Sequence, residues 1–244
     1  MKFTSLNLRG FEDWERRRDR IVHHLRHEDP DVVFFQEVVF LPEISPYDPV
    51  HVLNRQLEYP HSQTTISRLQ VGRDYPVYRE GLAVLSRYPI ISSEIIVLKQ
   101  EEGDEHNRIL QLIDIDKNGE RIKLANLHLS ITDVIDYATP QLAEVLDILK
   151  ARGETRILMG DFNLTHLEET SSMWSERYIA STETPYISYP KTNKRIDYAL
   201  IPREYVFDTI SVSDDSLSDH RAVTVTVSPS APAISRTRLL GFHE

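Results

Sequence analysis

The sequence predicts an α/β (α+β) domain in which a mixed sheet, or two packed sheets, carries helices on its outside. Three observations support this. Short apolar runs recur along the chain, and one pair of them is joined by Asn118-Gly119, a dipeptide that favours a hairpin turn. Only a few stretches space their apolar residues as a helix does. At 244 residues with 40% hydrophobic and 27% charged residues, the chain is large enough for one sizeable core under a polar surface.

Taken in order, Lys2 to Leu8 reads as a strand. Glu12 to His27 then places Trp14, Ile21, Val22 and Leu25 on one helical face. Pro30 ends that helix, and Val32-Val33-Phe34-Phe35 is a short buried strand running into Gln36-Glu37. From Leu41 to Tyr78 five prolines interrupt the pattern, which predicts a long irregular connection with at most short elements. Gly81 to Leu85, Ile90 to Leu98, Ile109 to Asp116 and Arg121 to Leu129 follow as strands. Gln141 to Ala151 is helical, with Pro140 suited to its first turn. Arg156 to Met159, Arg195 to Ile201 and Ala222 to Val227 complete the strands. One domain is expected over 1–228, with 229–244 a loosely held extension.

Composition excludes several chemistries. Without cysteine there are no disulfides, thiolate metal sites or cysteine nucleophiles. No apolar run approaches the length of a membrane span, and the amino terminus lacks a secretory pattern, which favours the cytoplasm, although a processed mature form would look alike. A net charge of −10 weighs against a protein that grips long duplex DNA through phosphates, although bound divalent metal would offset part of it. The densest basic tract, Arg16-Arg17-Arg18-Asp19-Arg20, reads as the solvated face of a helix.

Polar residues stand where apolar strands stop: Asn7, Glu37, His128, Asp161, Asn163, Asp197, Asp219 and His220. Alone, a His between leucines fits a hydrogen-bonded core residue, and an Asp after a strand fits a turn former or helix cap. Together they are harder to dismiss, because burying many ionisable groups costs several kcal/mol each unless they pair or bind metal. Asp161 and Asn163, two apart in an extended chain, would point to the same side. Carboxylates and carboxamides are hard oxygen ligands suited to Mg²⁺, Mn²⁺ or Ca²⁺ rather than zinc. With imidazoles beside them, they are equipment for attack of water on a phosphoester.

The ordered motifs Leu6-Asn7, Phe35-Gln36-Glu37-Val38, Asn126-Leu127-His128-Leu129, Gly160-Asp161-Phe162-Asn163, Arg195-Ile196-Asp197-Tyr198 and Ser218-Asp219-His220 resemble those of the endonuclease/exonuclease/phosphatase superfamily. The resemblance spans Asn7 to Ala222 and implies a four-layer α/β/β/α sandwich. It implies a Mg²⁺ (or Mn²⁺) held by Glu37, with Asn7 beside it and Asp219 assisting. Asp161 would orient or deprotonate the attacking water, and Asn163 would hold that water or a phosphoryl oxygen. His220 would contact the scissile phosphate, oriented by Asp197, and His128 would be the second active-site histidine. Glu80, in Val77-Tyr78-Arg79-Glu80-Gly81, would orient His128, and Arg108 would lie near the phosphate.

The substrate these motifs imply is a phosphoester, with a nuclease or phosphodiesterase acting on nucleic acid as the first reading. A small or lipid phosphoester, such as an inositol phosphate or sphingomyelin, is the alternative. A catalytically silent binding module ranks last. The lipid version is disfavoured because no long apolar hairpin is evident.

Overall fold

The computed structural model describes residues 1–70, 78–132 and 134–230. Its elements are β1 (Lys2–Asn7), α1 (Trp14–Glu28), β2 (Val32–Phe40), α2 (Pro49–Leu57), β3 (His61–Gln70), β4 (Tyr78–Ser86), β5 (Ile90–Val97), β6 (Ile109–Lys117) and β7 (Glu120–His128). There follow α3 (Ala138–Ala151), β8 (Ile157–Asp161), a short α4 (Ser171–Trp174), β9 (Tyr178–Ala180), β10 (Asp197–Pro202), β11 (Tyr205–Val212) and β12 (Val223–Pro229). The strands form two six-stranded sheets, ordered β11-β12-β1-β2-β4-β3 and β5-β6-β7-β8-β10-β9. Most neighbours are antiparallel, but β1 runs parallel to β2 and β7 parallel to β8. Both sheets are therefore mixed.

Alternation along the strands builds three apolar layers. One face of the first sheet packs Leu6, Val33, Phe35 and Leu85 under Ile21, Leu25 and Leu53 of α1 and α2. The far face of the second sheet packs Leu112, Leu127 and Leu158 under Leu142, Val145 and Leu149 of α3. Between the sheets, Phe3, Phe34 and Val225 meet Ile113, Leu124, Met159 and Ala199. The order is helices, sheet, sheet, helices, which is the four-layer sandwich the resemblance implies.

Among its described residues, much of the region expected to be irregular is regular. Residues 41–78 contain α2, a nine-residue helix, and β3, a ten-residue strand. Asp48 caps α2 through its side chain, which accepts from the His51 N–H, and Pro49 opens the helix, where its missing N–H costs nothing. β3 is the edge of its sheet, so its side chains are largely polar and give no apolar period. Residues 71–77, with Val77 of the Glu80 segment among them, and residues 231–244 of the expected 229–244 extension lie outside the described residues, while Pro229 closes β12.

The basic tract is also corrected at one position. Arg17 is buried, and its Nη1 donates to the Leu8 carbonyl (2.8 Å) and the Leu217 carbonyl (3.0 Å). It also reaches the Gly10 and Glu12 carbonyls, so it ties the turn after β1 to the segment before Asp219.

Candidate active site

The period of two that fills the inter-sheet core also builds the site. Phe3 in β1 points into that core, and Asn7, four residues on, shares its side. The same parity joins Leu124 to Asn126 and His128 in β7, Met159 to Asp161 in β8, and Ala199 to Asp197 in β10. Register then sets these side chains beside one another: His128 is opposite Asp161, and Asp161 opposite Asp197. Where the apolar residues give out, a polar layer takes over. Gln36 Nε2 donates to Asn126 Oδ1 (2.8 Å), and Asn126 Nδ2 reaches Gln111 Oε1 and the carbonyls of Phe35 and Ala83, each at 3.1 Å. Every buried amide there has a partner, as low-dielectric burial requires.

Glu37 reaches the site through a bulge. The β2–β4 register slips between Phe35 and Val38, and Glu37 takes a left-handed backbone (φ 51°). β2 was expected to end near Glu37; it continues to Phe40, and the slip re-aims one side chain without ending the strand. Gly160 is required for packing, because a Cβ there would lie 2.0 Å from the Leu127 carbonyl oxygen of β7.

Asp161 is the hub. It is buried and accepts from Asn7 Nδ2 (3.1 Å) at Oδ2 and from the Asn163 backbone N–H (3.0 Å) at Oδ1. His128 Nε2 lies 3.5 Å and His220 Nε2 3.8 Å from the same Oδ2. Asn7 Nδ2 also donates to Glu37 Oε1 (3.0 Å), bridging carboxylates from the two sheets. His220 Nδ1 meets Asp197 Oδ2 at 2.9 Å. A carboxylate only accepts, so Nδ1 carries the proton and Nε2 faces Asp161. Asp161, Asp197 and His220 bring their ligand atoms within 4.8 Å of one another, close enough to hold a metal ion.

Asn163 does not extend β8 as expected. The strand ends at Asp161, whose side chain closes a turn onto the Asn163 N–H, and Asn163 is left-handed (φ 51°). Its Nδ2 donates to the Leu129 carbonyl (2.9 Å), and the residue still lines the cleft.

These surroundings shift the titrations in opposite directions. Burial, and then the charge of Asp197, raises Asp161 to about 7. Burial pulls His220 down, but Asp197, Asp161 and Asp219 outweigh it and raise it to about 10. Burial, with Arg108, Arg68 and His220 nearby, holds His128 well below the usual imidazole range.

A cleft of ≈ 420 Å³ opens over this hub, lined by Glu37, His128, Asp161, Asn163, Asp219 and His220. Arg108 lines it too. Among the described residues its side chain makes a single long hydrogen bond, Nε to Ser130 Oγ (3.4 Å). Burial and Arg68 lower it to about 10. Asp219 accepts from Ser218 Oγ (3.1 Å) and pairs with Arg9 Nε (3.5 Å).

Glu80 departs from expectation. Its Oε1 is held by Arg68 Nε (3.1 Å) and Nη2 (3.0 Å), and among the described residues it has no bond to His128. Arg68 is its register partner across β3–β4 and reaches it first. Burial, and then Glu37, raises Glu80 to about 7. Sequence reasoning missed Arg68 because its segment read as loop. It also missed His106, Tyr189 and Lys191, which line the cleft from connections. Only His106, two residues before Arg108, carried a usable signal.

The fold and site define a two-sheet sandwich whose parallel strand pairs deliver buried carboxylates and imidazoles to one cleft. The chain belongs to the endonuclease/exonuclease/phosphatase family, whose model matches residues 4–220. That family includes metal-dependent phosphoesterases, both nucleases and phosphatases. By sequence, no curated protein matches the chain. Among solved structures it is similar to an endonuclease/exonuclease/phosphatase from Beutenbergia cavernae (20% identity, TM-score 0.78, covering 94% of this chain and 71% of that one). It is also similar to humanized D. rerio TDP2 (19%, TM-score 0.70, 93% and 98%) and to a mannosyl-6-phosphatase from Bacteroides thetaiotaomicron (16%, TM-score 0.68, 93% and 99%). Identities this low bear on the fold alone. Among the described residues no helix is long and apolar enough to cross a membrane.

Proposed function

We propose that the protein is a divalent-metal-dependent phosphoester hydrolase acting first on phosphodiesters, nucleic acid included. The observation that carries this reading is the convergence of Asp161, His128 and His220 on one cleft, with Asn7 bridging Asp161 to Glu37. The oxygen-rich donor set of Glu37 and Asp219, with Asn7 beside them, suits Mg²⁺ or Mn²⁺. When bound, the ion would neutralise charge on the phosphoryl oxygens.

The chain's own residues do the rest. Asp161, raised to about 7, accepts the proton of the attacking water, and Asn163 helps to hold that water. His220, kept protonated by Asp197, donates Nε2–H to a phosphoryl oxygen, and Arg108 adds guanidinium donors. His128, neutral at pH 7, offers its imidazole to the same phosphate without adding charge.

A small phosphoester is the second reading, favoured by the modest volume of the cleft. A panel under Mn²⁺ separates the two: bis-p-nitrophenyl phosphate, single-stranded, nicked and duplex DNA, RNA, 5′-phosphotyrosyl DNA, inositol phosphates and sphingomyelin. Hydrolysis of at least one member should vanish in EDTA and return with added Mn²⁺. Full turnover in EDTA would remove the metal from the mechanism.

A further inference from the structure

The cleft contains a second imidazole–carboxylate pair that none of the roles above uses. His106 lines the cleft beside Arg108, and its Nδ1 lies 3.2 Å from Asp104 Oδ1. The Asp104 side chain is fully buried, while that of His106 is 25% exposed. Four donors converge on this one carboxylate. Oδ1 takes the His106 backbone N–H (2.9 Å) and Nδ1, and Oδ2 takes Ser130 Oγ (2.6 Å) and Gln141 Nε2 (3.0 Å). Gln141 also donates to Ser130 Oγ (3.0 Å) and accepts the Ser130 N–H (2.8 Å). Arg108 Nε reaches that same hydroxyl.

A turn-forming role explains only one of these bonds, the i to i+2 contact with the His106 N–H, and an asparagine would make it equally well. Burying a carboxylate is costly, and no arginine or lysine makes an ion pair with it among the described residues. What the carboxylate adds is a fixed acceptor for Nδ1–H, so that the Nε2 pole is the one left to the cleft. His220 and Asp197 use the same device at the scissile position, at 2.9 Å. The cleft that His106 lines is also lined by Arg108 and by Arg68, the latter held by Glu80.

We propose that His106 is a specificity-determining residue that binds a second anionic group of the substrate, a phosphate adjacent to the scissile one, and that Asp104 is its positioning residue. The substrate class is a phosphoester bearing at least two phosphates, whether a nucleic-acid strand or a multiply phosphorylated small molecule. This rests on the hydrolase reading above.

The test uses the p-nitrophenyl ester of thymidine 5′-phosphate with and without a 3′-phosphate, assayed under Mn²⁺. Wild type should prefer the 3′-phosphorylated ester through KM. His106→Asn should reduce that preference about tenfold, as loss of a charged hydrogen bond does, with the change in KM rather than kcat. His106→Gln, which keeps an amide N–H near the Nε2 position, should recover part of the preference. Asp104→Asn should match His106→Asn, and the double variant should be no worse than either single one, because Asp104 acts through His106. Equal losses on both esters, or a change confined to kcat, would overturn the proposal. If wild type cleaves neither ester, the hydrolase reading fails on its own. Calorimetric binding of thymidine 3′,5′-bisphosphate, thymidine 5′-monophosphate and inositol 1,4-bisphosphate then decides the inference separately. The bisphosphates should bind more tightly than the monophosphate in wild type and lose that advantage in His106→Asn. Which bisphosphate gains more distinguishes the nucleic-acid source from the small-molecule one, and no advantage for either in wild type overturns the proposal.

Discussion

Asp161 and His220 show how neighbours assign roles to residues of ordinary chemistry. Burial disfavours the charged form of Asp161, and the Asp197 carboxylate opposite it in the ladder adds repulsion, so Asp161 rises to about 7 and becomes able to take a proton near neutrality. The same carboxylates keep His220 charged up to about 10. Replacing His220 with Ala should lower kcat by at least on the order of 10²-fold, the loss expected of a positioned acid–base group. Asp197→Asn is the sharper test because it leaves the imidazole in place. With its main counter-charge gone, His220 loses its proton at lower pH than in wild type. The alkaline limb of the kcat profile should therefore move toward neutrality, and the deficit should shrink as pH falls. A profile that keeps its shape while dropping uniformly would mean that Asp197 serves packing alone.

At the level of strands and helices, the residues that matter stand where a regular element is interrupted. Glu37 sits on a bulge, Asn163 just past a strand end, and Gly160 where two strands approach too closely for a side chain. Gly160→Ala should lose about 2 kcal/mol, or roughly 4–8 °C in Tm, because the clash is with the Leu127 backbone and no flexible side chain can yield. An unchanged melting curve would show that β7 and β8 separate freely. These interruptions also set how much could be read from sequence. Helices with one apolar face, α1 and α3, were evident from their period, β7 from an apolar run buried on both faces beside a hairpin turn, and so were the polar residues at strand ends. β3 was hidden by its polar edge position, and β11 by a register shift between Phe207 and Thr209 that breaks its alternation. The Glu80 pairing was misread because its competitor, Arg68, belongs to that hidden strand. His106 was visible as a residue, but its carboxylate partner is placed by a loop, which carries no period to read.

For the whole molecule the question is how a chain of net charge −10 binds a polyanion. Among the described residues, the arginines and lysines lining the cleft are Arg68, Arg108, Lys191 and Lys194, and Arg68 is already bound to Glu80. The attraction is therefore local and short-ranged, set within a field that repels long phosphate chains. With protonated His220 counted and Arg68 left to Glu80, four cations meeting phosphates of a single strand would give a slope of log kcat/KM against log salt of about −2.8. Single-stranded oligonucleotides should accordingly show a slope no steeper than about −3, with kcat/KM levelling off after a few nucleotides, and long duplexes should fare worse than short strands. The measurement is a salt titration over a ladder of substrate lengths. A slope near −6 that keeps steepening with length would require a basic track beyond the cleft, and the substrate would then be held by the surface of the protein rather than by its active site.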